Sequence, residues 1–349
     1  MKNIRVFAGL SAAILAASMV AVPAAAQSPA TGQYVIGVSN NAAGNGWREQ
    51  MICSMKAQAL ASGQVASMNI AHRTTDAAGQ LEDIRTLISA GVDAIIVNPA
   101  SLDALNPAIK EATDAGIVVV AVDAAVSEPS AYILSNDQES YGYLGAKWLF
   151  EQLGGEGDVV YMRGIAGVQA DTDRDNGFKR ALAEYPNIKI ASETFTNWAQ
   201  ADGTQQITDL LNAGTNIDGV WTSGIDNVIV DAFKTAVVPF VPIVGADNSG
   251  FVTQLATEEG LVGAAVTNPG SVGGAGVALA LQILGGTMPA AQTTLLTPVV
   301  WENVTAEGKA AVVAAADPAI DPTWPLGLEI PGWTTYTKDQ LLACKGPGE

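Results

Sequence analysis

Two tryptophans and a recurring set of polar side chains are the residues of this sequence best suited to bind a small polar molecule. An indole offers a flat apolar face to the C–H groups of a sugar or polyol, while carboxylates, amides and guanidinium groups exchange hydrogen bonds with its hydroxyls. The candidate ligand-binding residues, most of which stand just after short apolar runs, are Ser39, Asn45, Trp47, Arg48, Asp123, Thr172, Arg174, Trp198, Ser223, Asp226, Asp247, Thr267 and Asn268.

Each candidate also has a purely structural interpretation, which the sequence leaves open. Trp47 could pack in a core beneath a sheet, and a single polar residue after a strand can equally serve as a helix cap or a turn residue. The binding interpretation depends on the recurrence of polar residues at one edge of the predicted sheets, where open parallel sheets bind ligands.

The stretch 34–62 contains the order of elements that repeats along the chain. An apolar, β-type run is followed by a loop rich in Gly and Asn, and then by a helical run from Trp47. The pattern predicts strands at 34–39, 67–72, 94–98, 118–123, 132–135, 158–162, 188–193, 219–222, 242–246 and 262–266. It predicts helices at 47–62, 78–90, 105–115, 141–153, 171–184, 204–213, 227–235, 250–258 and 271–284.

This alternation predicts an α/β protein made of two doubly wound parallel-sheet lobes with helices on both faces. The two sets of elements meet without a Pro/Gly/Ser linker, so we expect a hinged pair of lobes, with the hinge near 136–141 and 267–271. Beyond Pro298 the alternation stops, and 302–349 is interpreted as an ordered extension held by apolar contacts.

The N-terminus predicts export. Residues 1–26 combine a basic start, an apolar stretch and a small-residue cleavage site, as in a secretory signal peptide, with an uncleaved membrane anchor as the alternative. The net charge of −18 becomes −20 once Lys2 and Arg5 are removed, which argues against nucleic acid as a partner. The even pair Cys53 and Cys344 predicts a disulfide in an oxidising compartment, with two free thiols as the alternative.

The sequence lacks the residues that several kinds of functional site require. With one histidine and two distant cysteines, neither a zinc site nor a Ser/His/Asp or Cys/His catalytic arrangement is expected. The glycine-rich phosphate-binding fingerprints are also missing, because the Gly44–Gly46 turn lacks a third glycine. We therefore expect no catalytic residues, no metal and no cofactor.

Seven short segments give the chain a family resemblance: Val35-Ile-Gly-Val-Ser39, Asn45-Gly-Trp47, Gly91–Pro99, Val122-Asp123, Gly164–Gly167, Arg174–Phe178 and Val244–Asp247. Over about 34–298 the chain resembles the type I periplasmic sugar-binding proteins of the ribose/galactose-binding class, which feed ATP-driven (ABC) importers. The resemblance implies two lobes joined by three crossover strands, with a sugar or polyol bound between them. It also implies a monomeric protein of the periplasm that delivers its ligand to a membrane permease.

The resemblance suggests boundaries and site positions. The N-terminal lobe is expected to comprise 33–137 plus 270–297, the C-terminal lobe 138–269 plus 298–302, and the extension 303–349, tied back by the disulfide. Family ligand positions map onto Ser39, Asn45, Trp47, Arg48, Asp123, Thr172, Trp198, Ser223 or Gly224, Ala246, Asp247 and Thr267. The sequence departs from the family pattern at Ala124 and Thr172, where Arg is common, and at Ala246, where an aromatic residue is common. The ligand is therefore not assumed to be ribose.

Three other classes of protein would be built on a related fold or use the same bound form. An enzyme on this fold needs a base, nucleophile or cofactor loop, and none is evident. A transcriptional regulator needs an N-terminal helix-turn-helix, where this chain has the predicted signal peptide. A binding protein that presents a sugar-like ligand to a membrane receptor remains the alternative to transport.

Overall fold

The computed structural model describes residues 33–349. Its strands are β1 (Tyr34–Asn40), β2 (Val65–His72), β3 (Ala94–Asn98), β4 (Val118–Val122), β5 (Tyr132–Asn136), β6 (Glu156–Arg163), β7 (Asn187–Phe195), β8 (Gly219–Trp221), β9 (Ile243–Ala246), β10 (Gly263–Val266), β11 (Thr293–Leu296) and β12 (Val300–Glu302). Its helices are α1 (Gly46–Ser62), α2 (Ala77–Ser89), α3 (Asn106–Asp114), α4 (Gln138–Gln152), α5 (Gln169–Glu184), α6 (Gln200–Asn212), α7 (Asp226–Ala236), α8 (Ser249–Thr257), α9 (Val272–Leu284), α10 (Ala306–Ala315) and α11 (Lys338–Ala343). The predicted signal peptide lies outside the described residues.

The strands form two six-stranded sheets, which define two lobes. The sheet of the first lobe has the order β11-β5-β4-β3-β1-β2 and is parallel throughout. The sheet of the second lobe has the order β12-β10-β9-β8-β6-β7, and only its edge strand β12 runs antiparallel to its neighbour. The predicted fold class, two doubly wound α/β lobes, is confirmed.

Apolar strands and apolar helix faces explain why each sheet is covered on both sides. In β3 every residue is buried, as expected of a central parallel strand between two helical layers. Clusters of buried aliphatic and aromatic side chains pack on the two faces of each sheet. Helix α9 packs closely on α1, because a Cβ at Gly273 would lie 2.6 Å from the carbonyl oxygen of Met51.

The chain passes between the two sheets three times: from β5 to α4, from β10 to α9, and from β11 to β12. The residue boundaries of the lobes and the position of the hinge stay predictions. Strands β11 and β12 and helices α10 and α11 were not predicted as elements. Both strands are short and only partly buried, and α10 buries a single residue, Val312, so these sequences lack a clear hydrophobic period.

The C-terminal extension is ordered, and a disulfide ties its end to the first lobe. Cys344 is bonded to Cys53 of α1, with their Cα atoms 4.4 Å apart, which confirms the predicted bridge. Around it, Tyr336 and Leu341 pack on Ala57. Within 33–349, every helix is too short or too polar to cross a membrane.

Candidate functional site

A cavity of about 370 Å³ opens where the carboxyl ends of strands from both sheets face each other. This volume lies near the lower end of the range of about 300–1,000 Å³ that is usual for small-molecule sites. Its walls are formed by Gly44, Asn45, Gly46, Trp47, Arg48, Asp123, Arg174, Trp198, Ala199, Gln200, Ala201, Ser223, Gly224, Ala246, Asn268 and Thr323.

The N-terminus of α1 places one indole at this cavity. Asn45 caps the helix, and its side-chain oxygen accepts a hydrogen bond from the backbone N–H of Arg48 at 2.9 Å. The indole N–H of Trp47 donates to the backbone oxygen of Asn268 at 2.7 Å. Trp47 also packs against the core of the first lobe, so the binding and core interpretations of this residue both describe part of its surroundings.

Arg48 is a buried cation in the cavity wall, with only 2% of its surface exposed. Its Nη1 donates to the side-chain oxygens of Asn40 at 2.6 Å and Asn41 at 3.1 Å. Burial lowers the pKa of Arg48, while the carboxylate of Asp123 opposes this effect. The asparagines thus fix the orientation of the guanidinium group without neutralising it.

Asp123 supplies the carboxylate of the site. It follows β4 with a left-handed backbone (φ 66°), a conformation that Asp and Asn tolerate better than most residues. Its Oδ1 accepts from Gln138 Nε2 at 2.9 Å and its Oδ2 from Asn98 Nδ2 at 3.4 Å. Burial raises the pKa of Asp123, and the nearby charges of Arg48 and Arg174 act in the opposite direction.

Arg174, from α5 of the second lobe, brings a second cation to the cavity. Its Nε donates to Gln138 Oε1 at 2.8 Å. Its guanidinium carbon lies 4.1 Å from the ring centroid of Tyr141 and 5.8 Å from that of Trp198. Hydrogen bonding and aromatic contacts hold this side chain in one place at the cavity wall.

A strained loop positions the second indole. Asn197 (φ 54°) and Trp198 (φ 51°) are consecutive left-handed residues, which is unfavourable for a bulky side chain. The indole N–H of Trp198 donates to Ser223 Oγ at 3.3 Å. The ring lies against Gly164, where an added Cβ would come within 2.1 Å of an indole carbon, so this contact requires glycine.

Of the predicted site residues, eight line the cavity: Asn45, Trp47, Arg48, Asp123, Arg174, Trp198, Ser223 and Asn268. The other five do not line it: Ser39, Thr172, Asp226, Asp247 and Thr267. The side chain of Thr172 donates to the Val168 carbonyl at 3.2 Å, and the hydroxyl of Thr267 accepts from the Val299 N–H at 2.9 Å.

The two buried carboxyls among these five brace the loops behind the cavity. Asp226 accepts from the backbone N–H of Gly224 at 3.1 Å, and Asp247 accepts from the backbone N–H of Asn268 at 2.9 Å. Each of them therefore holds a cavity residue in place. Burial raises the pKa of Asp226 to about 7 and that of Asp247 to about 6.

Sequence reasoning missed six residues of the cavity wall, namely Gly44, Gly46, Ala199, Gln200, Ala201 and Thr323, and also Gln138, which does not line the cavity but bonds two residues that do. Gln138 links the buried charges, yet it has the sequence context of an ordinary first-turn helix residue. Thr323 comes from the C-terminal extension, far outside the strand–helix alternation that guided the prediction. Neither residue carries a local signal that marks it as part of a binding site.

The sequence matches the periplasmic binding protein domain family over residues 36–288, and the chain belongs to this family. Family and fold are thus as the sequence motifs indicated. The family consists of substrate-binding proteins and not of enzymes. Among residues 33–349, no cluster of His, Cys, Asp or Glu is placed to hold a metal ion.

Two curated relatives cover part of the chain. A xylitol-binding protein of Mycolicibacterium smegmatis is 33% identical over 49% of this chain and 50% of its own length. The galactofuranose-binding protein of Escherichia coli K12 is 30% identical over 58% of this chain and 66% of its own length. The chain thus spans about half to two thirds of the length of these relatives.

Two solved structures cover nearly the whole fold. An ABC transporter solute-binding protein from Thermobispora bispora has a TM-score of 0.75 at 26% identity, over 89% of this chain and 94% of that one. The periplasmic binding component of an arabinose ABC transporter from Shewanella has a TM-score of 0.72 at 26% identity, over 80% of this chain and 94% of that one.

Proposed function

We propose that the protein captures a monosaccharide or polyol between its two lobes and delivers it to the membrane permease of an ABC importer. The observation that carries this proposal is the cavity itself, which combines two indoles with one carboxylate and two guanidinium groups. The indoles offer apolar faces to a carbon skeleton, and the charged groups offer both acceptors and donors to hydroxyls. The relatives' names, which mention xylitol, galactofuranose and arabinose, fit this class of ligand.

The size and polarity of the cavity narrow the ligand to a small, neutral, hydroxyl-rich molecule. A volume of about 370 Å³ suits one sugar ring or one linear polyol better than an oligosaccharide. The proposed ligand set is the one predicted from the sequence and found at the cavity, with Trp47 and Trp198 packing on the ligand and Asp123, Arg48 and Arg174 bonding its hydroxyls. We propose that the protein is a monomer in the periplasm, and that residues 1–26 are the signal peptide that directs its export and is then cleaved.

A thermal-shift screen of the mature protein tests the ligand class. A ligand that binds only the folded state stabilises it by about 2.7 kcal/mol when present at 100 times its Kd. The panel comprises pentoses, hexoses, amino sugars and linear polyols, with a dicarboxylate and an amino acid as controls. A rise in Tm confined to the controls would contradict the proposal.

Uptake tests the transport part. Cells that carry the gene and its cognate permease should accumulate the radiolabelled ligand, and deletion of the gene should abolish accumulation at low ligand concentration. Unchanged uptake in the deletion strain, with binding intact, would instead favour the alternative in which the loaded protein signals to a membrane receptor.

A further inference from the structure

The C-terminal extension runs along the binding cavity through residues 321–327, which we call the strap. On the second lobe, the backbone N–H of Ser249 donates to the carbonyl of Trp324 at 2.8 Å. The backbone N–H of Leu326 donates to the carbonyl of Asp247 at 2.9 Å. With a third bond, from the backbone N–H of Gly250 to the carbonyl of Pro322 at 2.9 Å, these hydrogen bonds fasten the strap to the N-terminal end of α8 and to the loop that precedes it.

The strap also contacts the first lobe and the second of the three crossings. Gln50 of α1 donates from its Nε2 to the carbonyl of Pro325 at 2.6 Å. Ser271, which lies just before α9, donates from its hydroxyl to the carbonyl of Gly327 at 2.8 Å. One short segment is therefore hydrogen-bonded to both sides of the cleft.

Thr323 is the strap residue that lines the cavity. Its backbone N–H and its hydroxyl both donate to Asp321 Oδ1, at 2.8 and 2.6 Å, so the side chain has a fixed orientation. It packs directly on the first residue of α1, because a Cβ at Gly46 would lie 1.9 Å from Thr323 Oγ1. The absence of a side chain at Gly46 lets the strap approach this closely.

We propose that Thr323 is a specificity-determining residue of the ligand site, contributed by the extension and not by either lobe. This inference rests on the proposed function. The hydroxyl of Thr323 donates its proton to Asp321, which leaves the hydroxyl oxygen free to accept a hydrogen bond, while the residue lines the cavity. The strap thus closes one side of the site and discriminates between ligands by where they carry a hydroxyl and by their length.

The test compares three variants with the wild type by calorimetry against xylitol, D-ribose, L-arabinose and D-galactose. Thr323→Val keeps the volume of the side chain and removes the acceptor, whereas Thr323→Ala enlarges the cavity. Gly46→Ala displaces the strap by steric contact with Thr323. Thr235→Val, at an exposed position on α7 remote from the cavity, is the matched control.

We expect the ratio of Kd values between the best two ligands to change at least tenfold in Thr323→Val or Thr323→Ala, with the control unchanged. Equal weakening for all ligands, or no change in any, overturns the inference while leaving the proposed function intact. If the folded wild type binds none of the four, the same variants are compared on the sugars or polyols that raise Tm in the thermal-shift screen, and a wild type that binds none of that panel overturns the proposed function and this inference with it.

Hydrogen exchange supplies a readout that does not depend on substitution. In the wild type, bound ligand should slow exchange of the strap amides, including that of Leu326, at least tenfold relative to the free protein. The amides of α10, elsewhere in the extension, serve as the internal control. Strap amides that exchange equally with and without ligand contradict a role for the strap as a wall of the site.

Discussion

Replacing Asp123 with Asn is the sharpest single test of the binding site, because it removes the charge and preserves the shape. Asp123 has a left-handed backbone (φ 66°), and Asn adopts this conformation as readily as Asp does. Alanine at the same position would add backbone strain to the loss of hydrogen bonds and would confuse the two effects.

The expected loss of affinity follows from the groups around the carboxylate. Hydrogen bonds to a charged group contribute about 1.5–3 kcal/mol, whereas those between neutral groups contribute about 0.5–1.5 kcal/mol. If Asp123 accepts two ligand hydroxyls, the change to Asn costs about 2–3 kcal/mol, which corresponds to about 30- to 150-fold in Kd. The variant also leaves Arg48 and Arg174 without their opposing buried charge, so its Tm should fall as well.

Titration calorimetry with the best ligand of the screen measures the affinity, and circular dichroism confirms that the variant is folded. Asp114→Asn is the matched control, since Asp114 is exposed and forms an ion pair with Lys110 of its own helix, at 2.7 Å. A folded Asp123→Asn protein that binds the ligand within threefold of the wild type would refute the role given to this carboxylate.

Three further outcomes are expected. Trp198→Ala should weaken binding by about 2–4 kcal/mol in calorimetry, as for other packed indoles, with Trp148→Ala, which does not line the cavity, as the control. X-ray scattering should show a smaller radius of gyration with ligand than without, since polar edges of both lobes face one cleft; an unchanged radius contradicts hinge closure. Because burial raises the pKa of Asp247 to about 6, the folded protein holds this proton more tightly than the unfolded chain. Protonation of Asp247 therefore contributes fully to the free energy of unfolding below pH about 4, and this contribution falls by up to about 3 kcal/mol as the pH rises through 6. In denaturant titrations, Asp247→Asn should lack this pH-dependent contribution.

The fold could be predicted well because its central elements carry strong local signals. A strand such as β3 is apolar at almost every position, and the helices that follow such strands have caps and amphipathic faces. Strand β11 shows the limit of this approach. Its four residues alternate between exposed and half-buried, and its place beside β5 is set by the return of the chain from α9, not by its own sequence.

The site was predicted less completely, because polarity after a strand does not reveal what a side chain contacts. Asp123 and Asp247 each directly follow a strand, and both are buried carboxyls. The first faces the cavity, whereas the second turns to the backbone N–H of Asn268. The backbone at the strand end, including the positive φ of Asp123, makes this difference, and it is invisible in a list of residue types.

Gln138 shows how the site and the crossing between the lobes depend on each other. It is the first residue of α4, immediately after the chain leaves the first sheet, and its amide donates to Asp123 at 2.9 Å and accepts from Arg174 at 2.8 Å. One amide thus joins the carboxylate of the first lobe to the guanidinium of the second. Any rotation about this crossing changes the distance between these two charges, so the geometry offered to a ligand depends on the angle between the lobes. We therefore expect lobe closure and ligand binding to be coupled partly through Gln138, although its own sequence context does not mark it as a site residue.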